Sequence, residues 1–198
     1  MIIHNVTQGT PEWHAARLGK FTASKFGDLM MAKTTAGYEK AILRVVYERL
    51  TGEAPDDFKS AYMERGNELE ADGLELYSDR IFQTVDRVGF VERDEWSGCS
   101  PDGLVGSEGM VQVKCPAFHT MVKYLLKKEV PGDYYWQIQG EMLITGRSWS
   151  DFMAYHPKLE PVIVRMFADP SAQARLDLEI RIATEAAKTI LNKLKPQP

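Results

Sequence analysis

The sequence predicts a single α/β or α+β domain, and three features of its 198 residues carry that prediction. Residues 11–80 are spaced largely as helices, whereas residues 81–114 break into short β-rich runs separated by Gly, Pro and Asp. Helical spacing then returns, two more strand-like runs follow, and an amphipathic helix closes the chain. The composition fits this class: 44% hydrophobic and 26% charged residues, with 15 Gly and 10 Pro, are globular proportions that exclude disordered, collagen-like and coiled-coil chains.

In order, residues 11–18 read as a helix, and residues 23–31 as a second with Thr22 as a plausible cap. A third runs over about 38–50, ending before Gly52, and a fourth over about 60–80. Strands are expected at 81–85, 89–92, 98–100, 104–105 and 110–114, forming a sheet. Residues 117–127 and 134–144 are helical, 152–156 and 161–167 are strands, and 171–193 is the closing helix. Residues 195–198 form a tail. With no internal repeat and no low-complexity linker, residues 1–198 read as one domain.

Several classes of function are excluded or disfavoured. Two cysteines, Cys99 and Cys115, cannot build a disulfide framework, and His4, His14, His119 and His156 lack metal-ligand spacing. With 24 basic and 28 acidic residues the formal charge is −4, which argues against a uniformly basic nucleic-acid coat but leaves room for a local basic track. No run approaches the ~20 apolar residues that span a bilayer, and the N-terminus lacks signal-peptide character, so a cytoplasmic protein with no membrane partner is expected.

Four constellations could carry chemistry. On a helical wheel Tyr62, Met63, Leu69, Gly73, Leu74, Leu76 and Tyr77 form an apolar side, with Glu64, Glu68, Asp72, Glu75 and Asp79 opposite. Glu70 falls inside the apolar stripe, where a carboxylate must be paired, protonated or bound to a cation; a structural salt bridge and a functional acid are both open. The second is Ser100-Pro101-Asp102-Gly103 followed by Gln112-Val113-Lys114. Alternation puts Gln112 and Lys114 on one face of a strand and Val111 and Val113 on the other. A hairpin return could bring Asp102 beside them, joining oxygen ligands for Mg²⁺ to a lysine that positions a water or stabilises charge. The plain alternative is an Asp-Gly turn and a half-exposed polar pair. Third, Tyr134, Gln137, Glu141 and Ile144 share a helix face, which could equally be a solvated one. Fourth, Trp13, Arg17, Thr22 and Ser24 bracket a loop with Gly19 and Lys20. Those groups suit a phosphate pocket, and simple helix capping would also account for the hydroxyls.

Together these segments resemble the phage lambda exonuclease-like family, the YqaJ-type viral recombinases, a branch of the PD-(D/E)xK nuclease superfamily. The similarity runs from Trp13 to Tyr155 through Trp13-His14-Ala15-Ala16-Arg17-Leu18-Gly19, Thr22-Ala23-Ser24, Gly66-Asn67-Glu68-Leu69-Glu70, Cys99-Ser100-Pro101-Asp102-Gly103, Lys114-Cys115-Pro116, and Tyr134 with Gln137-Ile138-Gln139. The resemblance implies a restriction-endonuclease-like core, a central mixed β-sheet flanked by helices. It implies metal-binding acids at Glu70 and Asp102, a main-chain metal ligand at Val113, a catalytic lysine at Lys114, and an active-site helix pair at Tyr134 and Gln137. Arg17, Thr22 and Ser24 would form the pocket for a DNA 5′-phosphate. The implied activity is 5′→3′ digestion of linear double-stranded DNA with Mg²⁺, or possible Mn²⁺, by a homotrimer ring that leaves 3′ single strands for a single-strand annealing protein.

One position departs from the pattern. Where the family carries an acid two residues before the lysine, this chain has Gln112, which keeps the shape and one carbonyl oxygen but loses a negative charge that Mg²⁺ prefers. An impaired or substrate-trapping form is therefore expected. The alternatives are a non-catalytic DNA-end-binding module and a structure-specific endonuclease on the same core.

Overall fold

A computed structural model of the chain describes residues 1–55 and 61–194, the side chains of residues 61–68 excepted. Tyr62, Met63, Glu64 and Glu68 of the wheel, the Gly66-Asn67 part of the family motif and the expected tail at 195–198 lie outside the described side chains or residues.

The elements are β1 (Ile2–His4), α1 (Pro11–Arg17), β2 (Phe21–Thr22), a 3-10 turn at Ala23–Lys25, α2 (Phe26–Leu29), α3 (Ala36–Thr51) and α4 (Ala61–Ile81). The β-rich middle is β3 (Val85–Asp86), β4 (Phe90–Asp94), β5 (Ser97–Cys99), β6 (Gly103–Val105) and β7 (Gly109–Lys114). Then come α5 (Phe118–Lys127), α6 (Gly132–Thr145), β8 (Trp149–His156), β9 (Leu159–Phe167) and α7 (Pro170–Leu194). This is the expected mixed α/β fold, with its strands divided between two sheets. One has the order β1-β4-β5-β2 and the other β3-β6-β7-β8-β9, and each is mixed, through the parallel pairs β2–β5 and β7–β8.

Two local expectations are corrected. Residues 81–85 are not a strand: α4 continues through Ile81, which packs with Leu74 and Tyr77 at helical spacing, and only Val85–Asp86 pairs with β6. Residues 23–31 are not one helix but a 3-10 turn followed by the single turn α2, which buries Phe26 and Leu29 against α3 and α7. β1 and β2 had no sequence signal, being three and two residues long.

The five-stranded sheet lies between two helical layers. Val111, Val113 and Met153 meet Leu74 and Tyr77 of α4 on one face, and Met110 and Phe152 meet Met121 of α5 with Ile138 and Met142 of α6 on the other. Two glycines permit the close approach. A Cβ on Gly73 would stand 2.9 Å from Val113 Cγ1, and one on Gly140 would stand 2.2 Å from the Phe26 ring. Thus α4 sits hard against β7 and α6 hard against α2, which sets Glu70 and Gln137 relative to the strands. Among the described residues no helix is long and apolar enough to cross a membrane.

Candidate active site

The site begins with a register. β6 and β7 form an antiparallel hairpin in which Gly103 faces Val111, so Asp102, one residue before β6, falls opposite Gln112. Its Oδ2 accepts hydrogen bonds from the Val113 backbone N–H at 2.7 Å and from Gln112 Nε2. In an extended strand a residue's N–H and C=O point to the same side, so the Val113 carbonyl is directed towards the Asp102 side as well. The Val111 and Val113 side chains face α4, as the alternation predicts. Gln112 is 1% exposed and Lys114 is half-buried, so the half-exposed polar face is overturned at Gln112 and holds at Lys114.

α6 closes the other side. Gln137 Nε2 donates to Gln112 Oε1 at 3.0 Å and to Glu141 Oε1 at 2.9 Å. Tyr134, one turn earlier, stacks on Phe152 with ring centroids 5.3 Å apart, and Lys114 Nζ lies 5.4 Å from the Tyr134 centroid. The helix face that the sequence left as possibly solvated is therefore turned into the protein.

Glu70 reaches the site from α4. Its Oε1 accepts from Arg87 Nη2 at 3.3 Å, so the salt-bridge expectation holds. Yet burial pushes its pKa up to about 7, with Asp102 adding to the rise and Arg87 and Lys114 opposing it. Burial likewise raises Asp102, against the lowering influence of Lys114, the Val113 N–H and Arg87.

These groups have the chemistry of a hard-cation site: two carboxylates and a strand carbonyl, all oxygen donors, suit Mg²⁺, which is commonly held by one or two carboxylates together with substrate phosphates. Gln112 is the exception, because its N–H rather than its oxygen faces Asp102. Among the described residues no group of three or more His, Cys, Asp or Glu is arranged to hold a metal.

The N-terminal cluster joins the site through one short loop. Arg17, the last residue of α1, donates through Nη1 to Ser100 Oγ at 2.7 Å, and its guanidinium lies 4.1 Å above the Trp13 ring. Trp13 Nε1 donates to the same Ser100 hydroxyl at 3.0 Å. Burial lowers the Arg17 pKa to about 10, which leaves it charged at neutral pH. Thr22 precedes the 3-10 turn without capping it; its hydroxyl lies 3.3 Å from that of exposed Ser24. Arg17, Thr22, Ser24, Lys25, Lys40 and Arg44 line one cavity of about 460 Å³, with Asp28 and Glu48 as its acids. Ser100, which binds Arg17 from outside this cavity's lining, was given no role from sequence, although it stands in the Ser-Pro-Asp-Gly string two residues before Asp102.

Glu141 is a carboxyl that sequence placed on the right face without a role. Burial pushes its pKa up to about 8, Asp102 adding to the effect and Gln137, Lys114 and Arg17 opposing it. In the unfolded chain such a group titrates near ~4.3. Between these values the folded protein holds a proton that the unfolded chain has released, so stability falls as pH rises through this window. Glu141→Gln removes that penalty. Its Tm relative to the parent is expected to climb steadily from pH 5 to pH 8, and a difference independent of pH would disprove the assignment.

The sequence profile of the YqaJ-like viral recombinase domain matches residues 12–148, a span that holds every residue placed in the site. No curated protein matches the chain in sequence. Among solved structures the chain is similar to LHK-Exo, an alkaline exonuclease from Laribacter hongkongensis, seen in two crystal structures, one in complex with dAMP. Each matches with TM-score 0.88 and 32% identity over 94% of this chain and 96% of that one. A phage-related exonuclease from Haemophilus somnus 129PT, with TM-score 0.71 and 15% identity over 89% of this chain and 96% of its own, shares the fold. With its profile match covering most of the chain and its site assembled inside that span, the chain belongs to the YqaJ-like viral recombinase domain family.

Proposed function

We propose that this protein is built as a Mg²⁺-dependent 5′→3′ exonuclease of linear double-stranded DNA, impaired by Gln112. One observation carries the reading: the Ser100-Pro101-Asp102 loop is held by Arg17 at its start and by β7 at its end. An anion clamp and an acid–lysine centre are thus fixed to each other by two peptide units. A terminal phosphate at Arg17, Thr22, Ser24 and Ser100 would be anchored by charge-assisted hydrogen bonds, leaving the adjoining phosphodiester to the Asp102 side.

Glu70, Asp102, the Val113 carbonyl and the oxygen of residue 112 would hold the cation. When bound, Mg²⁺ polarises the phosphate and acidifies a water. Lys114, on the same face of β7 as Gln112, orients the attacking oxygen and offsets charge on the phosphate. Tyr134 fixes the approach of Lys114, and Gln137 fixes the side chain at 112. Mn²⁺ suits the same oxygen ligands. In this reading the protein works as a homotrimer ring that passes 3′ single strands to a single-strand annealing protein.

A second reading is favoured by the Gln112 amide, which donates to Asp102 where a cation would be held: a DNA-end-binding module that does not cut. The deciding experiment digests linear 5′-phosphorylated duplex and covalently closed circles with Mg²⁺, using the chain as it stands and Gln112→Glu. Cutting of linear duplex alone, from the 5′ end, supports the exonuclease. Cutting of circles points to an endonuclease, and binding of ends without cutting by either form points to the module.

Arg17→Ala tests the pocket. Loss of a charge-assisted contact costs on the order of tenfold, so the preference for 5′-phosphorylated over 5′-hydroxyl ends is expected to drop by about that factor in end-binding titrations. An equal loss on both ends would remove Arg17 from phosphate recognition.

A further inference from the structure

Glu141 is 1% exposed. Its Oε1 accepts from Gln137, and among the described residues its Oε2 has no hydrogen-bond partner. A buried carboxyl with half of its bonding capacity unused costs stability that a leucine in its place would not. The local geometry gives a reason for keeping it.

Gln137 is an amide, and an amide is nearly symmetrical: turned over, it fills the same space with donor and acceptor exchanged. Its neighbour Gln112 is an amide too, so the two could pair either way round. Carboxyl groups at the two ends break this symmetry, Asp102 by accepting from Gln112 and Glu141 by accepting from Gln137, the latter solely an acceptor only once it is ionised, above about pH 8. Asp102 Oδ2 takes the Gln112 N–H, which leaves Gln112 Oε1 for Gln137. Glu141 Oε1 takes the second hydrogen of Gln137 Nε2. With both N–H groups held, the Gln137 carbonyl oxygen makes no hydrogen bond among the described residues and is the atom left to present to an incoming water or hydroxyl.

The two anchors differ in kind. Asp102 and the residue at 112 belong to the cation site and are claimed by other partners once it fills. Glu141 lies behind Gln137, one helical turn on, on α6, which Gly140 seats tightly against Phe26. It is the anchor that is not itself among the residues assigned to the cation, although Asp102 and Lys114 act on its charge.

We propose that Glu141 is a positioning residue: it fixes which way round the Gln137 amide stands, so that the amide oxygen faces a water or hydroxyl entering beside the reacting phosphate. This rests on the exonuclease reading above for its kinetic consequence, and on the structure alone for its orientational one.

The test therefore has two readouts. On the Gln112→Glu background, Glu141→Leu is expected to lower kcat on linear duplex by about tenfold or more while KM for ends stays within about twofold. Unchanged kcat in the leucine variant overturns the proposal. So does a rise in KM at constant kcat, which would mean that Glu141 acts through Arg17, whose electrostatics it shares. In the chain as it stands, the Gln137 side-chain amide signals, assigned by their loss in Gln137→Met, should show two protons protected from exchange with water. Glu141→Leu should expose one of them, and protection that survives the substitution overturns the proposal whether or not the Gln112→Glu chain cuts DNA. If the leucine variant fails to fold, Glu141→Met, which also lacks an acceptor, carries both measurements. If no form cuts, the exonuclease reading falls and the amide measurement still decides the role of Glu141.

Discussion

Gln112→Glu is expected to raise digestion of linear 5′-phosphorylated duplex in Mg²⁺ by at least about a hundredfold, a barrier change of ~2.7 kcal/mol. Today the amide N–H at position 112 donates to Asp102 Oδ2, so the side chain competes with a cation for the oxygen that the cation needs. The substitution turns that donor into a carboxylate facing another carboxylate. Without metal the pair repel in a buried site, so the variant should melt below the parent. With Mg²⁺ the repulsion becomes the binding energy of the ion. The Tm of the variant should therefore climb with Mg²⁺ much more than that of the parent, as expected for a ligand that binds only the folded state. A variant that melts identically with and without Mg²⁺ and leaves the DNA intact would show that Glu70 and Asp102 do not form a cation site.

The sequence exposed those parts of the site that local geometry creates. Asp102, Gln112, Val113 and Lys114 lie within one hairpin, so alternation along β7 and a turn before β6 were enough to bring them together. Glu70 was legible as a carboxylate on an apolar helix face, and the structure shows the first of its two open alternatives, an ion pair with Arg87, with Asp102 near enough to act on its charge. What was hidden depends on packing between distant segments. Arg17 and Ser100 are 83 residues apart, and no periodicity relates them. Arg87 follows a turn whose left-handed Phe82 (φ +53°) carries no sequence signature. The division into two sheets turns on β1 and β2, which are too short for alternation to show and are held by pairing with β4 and β5. Glu141 had the correct helix face, but a period gives direction and not depth: only the seating of α6 distinguishes a solvated carboxylate from a buried one.

Lys114→Ala, made together with Gln112→Glu, is expected to lower kcat by about a thousandfold, near the upper end of what removing one donor to transition-state charge costs, with end binding kept within a few-fold. Lys114 sits at the end of β7 with its ammonium near the Tyr134 ring, and its charge acts on Glu70, Asp102 and Glu141. Among the described residues it is the cation that acts on all three carboxyls, and it does so from the same strand as the acid position. Two of its effects can be separated. As a counter-charge it eases the crowding of carboxylates, a service that bound Mg²⁺ also supplies, so its loss should weaken the protein mainly at low Mg²⁺. As the orienting donor proposed above, it would act in the reaction itself, and no concentration of Mg²⁺ would replace it. Raising Mg²⁺ should therefore restore the Tm of the alanine variant and leave kcat low. Lys114→Arg keeps the charge but replaces a compact ammonium with a planar fork, so it should recover stability and little rate. If alanine or arginine at 114 cuts at a tenth of the background rate or better, the lysine is a counter-ion only, and the orienting role passes to Gln137.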